Sequence, residues 1–214
     1  MSLISTHCHI DYQPYLLSNT DDWALSESKA LELLYYLEKN GVKVVYCVPP
    51  IRKENVQNTV EFLQEQFKKF LAVYDGKIRL RLAACYRIDE GFIELLRCKE
   101  ILTLGERRQV LVDVSPVTEY AATWKVLDEI IQTGYVPMVM QPERVTYWDI
   151  PDFEHLLTMG CKLMGNFYSL YGYNGDMALR YSRELRLQNA YNSYWSGMED
   201  TKVMRYIEDI NKRQ

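Results

Sequence analysis

The sequence predicts an α/β fold in which parallel strands, each followed by a helix, close or nearly close into a barrel. Three observations carry that expectation. Short β-type runs alternate with helical runs along the chain, and strands regularly separated by helices pair in parallel through right-handed crossovers. The runs 110–115 and 136–140 are nearly continuous apolar stretches, which suits strands covered on both faces. An open, doubly wound sheet is the alternative, and its first strand often feeds a glycine-rich turn. Here the first run leads into His7, Cys8 and His9, and the glycine-rich patch is Tyr171–Gly175.

The elements follow in order. Residues 2–6 form a short β-capable run, and 42–48 is strongly β-branched. Between them Ser26 is placed to cap a helix carrying Ala30, Leu33, Leu34 and Leu37, and Gly41 stands where a C-terminal cap is expected. Asn55 is expected to cap a second helix through Val56, Val60, Leu63, Phe67 and Leu71, with Gly76 past its end. Strands are expected at 78–85, 110–115 and 136–140, with weaker candidates at 161–165 and 191–196. The intervening helices are expected at 92–98, 119–133, 152–159, 176–188 and 200–212. The count is about seven strands and seven helices in one domain spanning 1–214.

Composition narrows the function classes. The 214 residues are 48% hydrophobic, enough for one large core. A formal net charge of −4 argues against nucleic acid as a partner. No apolar run reaches the length of a bilayer span, and residues 1–6 lack the pattern of a signal peptide, so cytoplasmic localisation is expected. The five cysteines show no metal-knuckle or redox spacing and read as reduced, core-filling thiols. Seventeen tyrosines are a compositional oddity that permits a homo-oligomeric interface without locating one.

In parallel barrels chemistry sits at the C-terminal ends of the strands. His7 and His9, two apart, can share one side of an extended segment and make half a metal site, or else a hydrogen-bonded structural pair. Arg52, Arg87 and Arg144 follow three different expected strands, and converging guanidiniums suit a phosphate or carboxylate. Read singly, Arg52 and Arg87 are surface charges, and Arg144 pairs with Glu143 or a nearby acid. Cys85 reads as a packed thiol, Asp113 as an acid after the fourth strand, and Ser196-Gly197 as a turn. The third histidine, His155, falls on a helix away from the strand ends.

These residues carry a family likeness. His-Cys-His near the start, Pro49-Pro50-Ile51-Arg52, Leu111-Val-Asp-Val114 and Pro137-Met-Val-Met-Gln-Pro-Glu-Arg144 stand in the order found in the PHP (polymerase and histidinol phosphatase) superfamily. Thr20-Asp21-Asp22 and Ser169-Leu-Tyr-Gly172 extend the match over nearly the whole chain. Within that superfamily the sequence most resembles the manganese-dependent tyrosine phosphatases of bacterial capsule and exopolysaccharide synthesis. The resemblance implies a distorted seven-stranded TIM-like barrel with a cluster of metals at its mouth, a metal-bridging hydroxide as nucleophile, and arginines holding the phosphate. It implies His7, His9, Asp113 and Glu199 as metal ligands, with Asp21 or Asp22 at the place of the aspartate before the first helix. It assigns phosphate binding to Arg52, Arg87 and Arg144, and catalysis to Arg144 and Asp113.

The resemblance is incomplete where the chemistry resides. Pro50 replaces the histidine that ends the second strand, Cys85 the bridging glutamate, Gln141 the histidine of His-Pro-Glu-Arg, and Gly197 the late aspartate. Too few donors remain for a multinuclear centre, so the expectation is one divalent metal (manganese, iron or zinc) at most, or none. Three readings follow: a degenerate homologue that keeps an anion pocket, a phosphoesterase running on a one-metal site, or a structural partner in polysaccharide export. The expected partner is a phosphotyrosine protein such as the tail of a polysaccharide-export tyrosine kinase, with no membrane insertion.

Overall fold

The computed structural model describes residues 10–105, 108–114 and 118–196. Nine short strands and seven α-helices occur among them. β1 (Ile10–Gln13) is followed by α1 (Glu27–Lys39), β2 (Val44–Cys47), β3 (Pro50–Ile51), α2 (Val60–Val73), β4 (Arg79–Leu82) and β5 (Cys85–Arg87). Then come α3 (Glu90–Cys98), β6 (Gln109–Asp113), α4 (Tyr120–Gln132), β7 (Val136–Met140) and a 3-10 turn at Pro142–Arg144. α5 (Ile150–Thr158), β8 (Lys162–Asn166), α6 (Phe167–Leu170), α7 (Asp176–Leu187) and β9 (Tyr191–Trp195) complete the described chain.

The strands form two sheets, β1-β2-β4 and β3-β5-β6-β7-β8-β9, and every pairing is parallel. Nine strands occur among the described residues where seven were expected along the whole chain: β1 and β3 are additional, one expected run is split in two, and one expected strand lies outside the described residues. Pro49 and Pro50 lack N–H groups, so the run 42–48 cannot continue its ladder and resumes as β3 in the second sheet. The run 78–85 likewise divides at Ala83 and Ala84 into β4 and β5. Isolated hydrogen bonds bridge these breaks: Val48 N–H to the Gln13 carbonyl (2.9 Å), Ala83 N–H to Cys47 (2.9 Å) and Cys85 N–H to Pro49 (3.1 Å). The expected strand at 2–6 and helix at 200–212 lie outside the described residues, and β1 had no counterpart in the expectation.

Strand alternation divides the core. Val110, Val112, Val139 and Leu163 face the helices and pack with Leu127, Ile130, Trp148 and Phe153. Their neighbours Leu111, Met138, Met140 and Met164 point to the other face, where they meet Tyr12, Val48, Cys85 and Trp195. α1 buries Ala30, Leu33, Leu34 and Leu37, one helical face, against Val45, Phe70 and Phe167. Full burial of each leucine there contributes about 1.5–3 kcal/mol. α2 starts later than expected. Thr59, not Asn55, is its N-cap and accepts the Phe62 N–H, while Val56 is 82% exposed.

Candidate anion-binding site

Because every strand runs the same way, the C-terminal ends gather at one end of the sheets. A cavity of about 270 Å³ lies there, lined by Arg52, Arg87, Asp113, Gln141 and Arg144 together with Pro14, Tyr15, Cys85 and Trp195. That volume lies just under the roughly 300–1,000 Å³ of drug-sized ligand pockets and suits a small anion. The three arginines expected from separate strand ends thus share one cavity.

Each arginine is held differently. Arg52, just beyond β3, donates through Nη2 to Asp21 Oδ2 at 2.6 Å and through Nε to Asn55 Oδ1 at 3.3 Å. Asn55 and Asn58 tie the 20–21 segment down by donating to the Thr20 carbonyl at 3.0 and 2.7 Å. Asn55 therefore serves the loop rather than the helix cap assigned to it from sequence. Arg87 and Asp113 are register partners across β5 and β6, joined by Nη2–Oδ2 at 3.1 Å. The Arg87 Nε–H and the Trp195 indole N–H are buried without a hydrogen-bond partner. Such orphans are uncommon in buried sites and mark places where a ligand or water supplies the acceptor.

Arg144 does not pair with Glu143, contrary to the bland sequence reading. Its Nη1 donates to Gln141 Oε1 at 2.8 Å. Asn166 Nδ2 donates to the same oxygen at 2.9 Å. Glu143 turns the other way and is buried, accepting the Asn166 N–H at 2.8 Å and the Tyr191 hydroxyl at 2.9 Å. Burial pushes its carboxyl above the ordinary range, against the pull of those donors. Gln141 itself sits in the left-handed region at φ 52°, anchored by its N–H to the Met164 carbonyl at 2.7 Å. The Pro-Glu-Arg turn is thus fastened to β8 and β9 from below and presents Arg144 above.

A second polar knot joins the outer strands of the two sheets. Asp11 on β1 is fully buried and accepts the Ser196 N–H (2.9 Å), the Ser196 hydroxyl (2.7 Å) and Gln13 Nε2 (2.8 Å). Desolvation raises its carboxyl despite these donors. Ser196 is therefore a fastening point, and Gly197, the other half of the expected turn, lies outside the described residues.

The described residues do not fit a metal cluster. No group of three or more His, Cys, Asp or Glu among them is placed to hold an ion. At the cavity Gln141 is neutral with its oxygen doubly occupied, and Asp113 is engaged by Arg87. Burial raises the Cys85 thiol well above its ordinary value, so it is a packed, protonated group in contact with Met140 sulfur. His155 sits on α5 with its ring 4.8 Å from Trp124. His7, His9 and Glu199 lie outside the described residues, and the cavity end of β1 carries Gln13, Pro14 and Tyr15. Sequence reasoning placed Asn166 at the end of its strand but missed Asp11, Tyr15 and Trp195. The alternate polar positions Asp11 and Gln13 were the available signal for β1.

The protein is thus a parallel α/β protein with three arginines gathered beside its strand ends. The family model "Capsular polysaccharide synthesis, CpsB/CapC" matches residues 3–193. The chain belongs to this CpsB/CapC family. It is similar to the "Tyrosine-protein phosphatase CpsB" of Streptococcus pneumoniae, 25% identical over 74% of this chain and 68% of the relative. It is also similar to the "Putative tyrosine-protein phosphatase CapC" of Staphylococcus aureus, 24% identical over 63% of this chain. That match spans about half of the relative, 54%. Among solved structures, one of the set describing YwqE from Bacillus subtilis and CpsB from Streptococcus pneumoniae as unique metal-dependent tyrosine phosphatases superimposes with a TM-score of 0.77. It is 20% identical, covers 90% of this chain and 80% of its own, and bears on the fold. No helix among the described residues is long and apolar enough to cross a membrane.

Proposed function

We propose that this protein binds a phosphate ester of the phosphotyrosine type in the arginine cavity and has lost most or all of the metal-dependent hydrolysis named for its relatives. The supporting observation is the exchange of donors at one place. Arg52, Arg87 and Arg144 share a cavity whose former ligand positions hold Cys85, Gln141 and the adjoining Pro50. Guanidinium forks match phosphate oxygens in geometry and charge. Arg144, whose partner among the described residues is a neutral amide, is the cation least committed to the protein and is the expected anchor. A seven-stranded barrel as scaffold, a phosphorylated kinase tail as partner and a cytoplasmic setting belong to the same proposal.

Calorimetric titration with O-phospho-L-tyrosine, beside metal analysis and turnover of p-nitrophenyl phosphate with and without manganese, tests it. Binding that Arg144→Ala abolishes, without stoichiometric metal or stimulated turnover, is the expected result. Bound metal lost in His7→Ala, with manganese-stimulated turnover lost in His9→Ala, would instead establish a one-metal phosphoesterase using His7, His9 and Asp113 or Glu199.

A further inference from the structure

Next to the arginine cavity lies a second, larger depression of about 1050 Å³, between the segment leading into α2 and the starts of α3 and α4. Ile51, Arg52 and Arg87 line both, so the two spaces adjoin. Its walls include the apolar side chains of Phe92, Ile93, Leu95 and Val126. The side chain of Val56 stands at it, 82% exposed.

The charge around this groove is predominantly negative, with Arg52 and Arg87 at the edge it shares with the arginine cavity. Glu54, Glu61, Glu94, Glu100 and Glu119 are all exposed and line it. None of the five appears in an ion pair among the described residues. Lys53 is the lysine that faces them. Clefts lined by one sign of charge raise the local concentration of opposite charge and repel like charge. The arginine cavity next door has the opposite character. A ligand that spans both must carry an anion at one end and cationic, partly apolar groups beside it.

We infer that this groove seats the residues flanking a phosphorylated tyrosine, and selects flanks that are basic and apolar over flanks that are acidic. The inference rests on the arginine cavity taking the phosphate, as proposed above. Exposed pairs of opposite charge each contribute modestly, about 1.5- to 5-fold in affinity, so three together give about tenfold.

Fluorescence anisotropy with labelled phosphotyrosine peptides of equal length tests this. One peptide carries lysine and leucine flanks, another glutamate and serine flanks, and a third repeats the basic sequence without phosphate. The basic phosphopeptide is expected to bind about tenfold tighter at low salt, and the preference to shrink as salt rises. The triple variant Glu61→Gln, Glu94→Gln, Glu119→Gln should cut the preference to about twofold while O-phospho-L-tyrosine binding changes little. Melting temperatures establish that the variant is folded. If O-phospho-L-tyrosine binds through Arg144 but flank charge makes no difference, or the triple variant keeps the full preference, the groove inference is overturned and the arginine reading stands. If the unphosphorylated basic peptide binds as tightly, the groove acts apart from the cavity and the inference is likewise overturned. Failure of O-phospho-L-tyrosine itself to bind removes the arginine reading and the inference with it.

Discussion

Asp113→Asn separates the two chemistries that this site can support. As a metal ligand, Asp113 would be needed for any ion and any turnover. In the structure its carboxylate instead meets Arg87 at 3.1 Å, where it competes with an incoming phosphate. A phosphate held by Arg87 would lie roughly 5 Å from that carboxylate, a repulsion of about 0.8 kcal/mol at the dielectric of water and about 3 kcal/mol at an effective value of 20. The Arg87 and Asp113 side chains are 29% and 36% exposed, so the screened end of that range applies. Neutralising the acid should therefore strengthen phosphate binding by about 1 kcal/mol, close to fivefold. Loss of the half-exposed ion pair costs under about 1 kcal/mol of stability, so the fold should survive. Calorimetric titration of wild type and variant with O-phospho-L-tyrosine reads the effect directly. Weaker binding in the variant, or loss of a manganese-dependent rate, would refute the counter-ion role.

Other consequences concern the framework. Asp11→Ala strands three donors in a buried site and should cost about 3–5 kcal/mol, near 10 °C in melting temperature. Asp11→Asn should cost under about 1 kcal/mol, because Ser196 Oγ and a turned Gln13 amide can accept its N–H2. The pH dependence has a definite sign. Near and below the unfolded value of about 3.9, both states hold the proton. As pH rises toward the raised folded value, the unfolded chain ionises first and folding loses stability, so wild type should fall behind Asp11→Asn in melting scans between acid and neutral pH; the opposite trend would show an ion stabilised by burial. Gly165→Ala would bring its Cβ to 2.8–3.0 Å from the Tyr191 ring, an overpacking worth about 1–3 kcal/mol by chemical denaturation. Of the four described cysteines, exposed Cys98 should alkylate first. Cys47 and Cys161, each pushed up to about 12 by burial, and Cys85 should label only on unfolding, as mass spectrometry under native conditions would show.

The apolar strands β6 and β7 and the helices α1, α4 and α7 were legible because hydrophobic periodicity reports burial directly. β1 was not, because its inward residues are Asp11 and Gln13, both buried and satisfied by each other and by the distant Ser196. Asn55 misled for a related reason: a cap and a loop tether use the same side-chain chemistry, and only the fold brings the 20–21 loop within reach. Arg52, Arg87 and Arg144 were each unremarkable alone. What sequence could supply was their shared place after strands, and parallel pairing turned that place into proximity. The apparent Glu143–Arg144 pair failed because adjacent residues on a 3-10 turn project apart, one into the core and one to the mouth.

On the proposed reading, in which hydrolysis is lost, the balance of donors and acceptors argues that restoring it would take more than one reversion. A cation seat needs a surplus of acceptors, and an anion seat a surplus of donors. Among the described residues at the cavity, Asp113 is the acid facing three guanidiniums. The Gln141 oxygen is taken by Arg144 and Asn166, leaving its N–H2 as the free edge of the amide. Gln141→His would supply one imidazole but remove the acceptor that positions Arg144. The bridging position would still hold the Cys85 thiol, whose protonated state is enforced by burial. Each guanidinium left in place would also oppose a divalent ion by direct repulsion. On the reading proposed above, substitutions that look independent along the chain would form one coordinated change at the mouth, from holding metal against phosphate to holding phosphate alone.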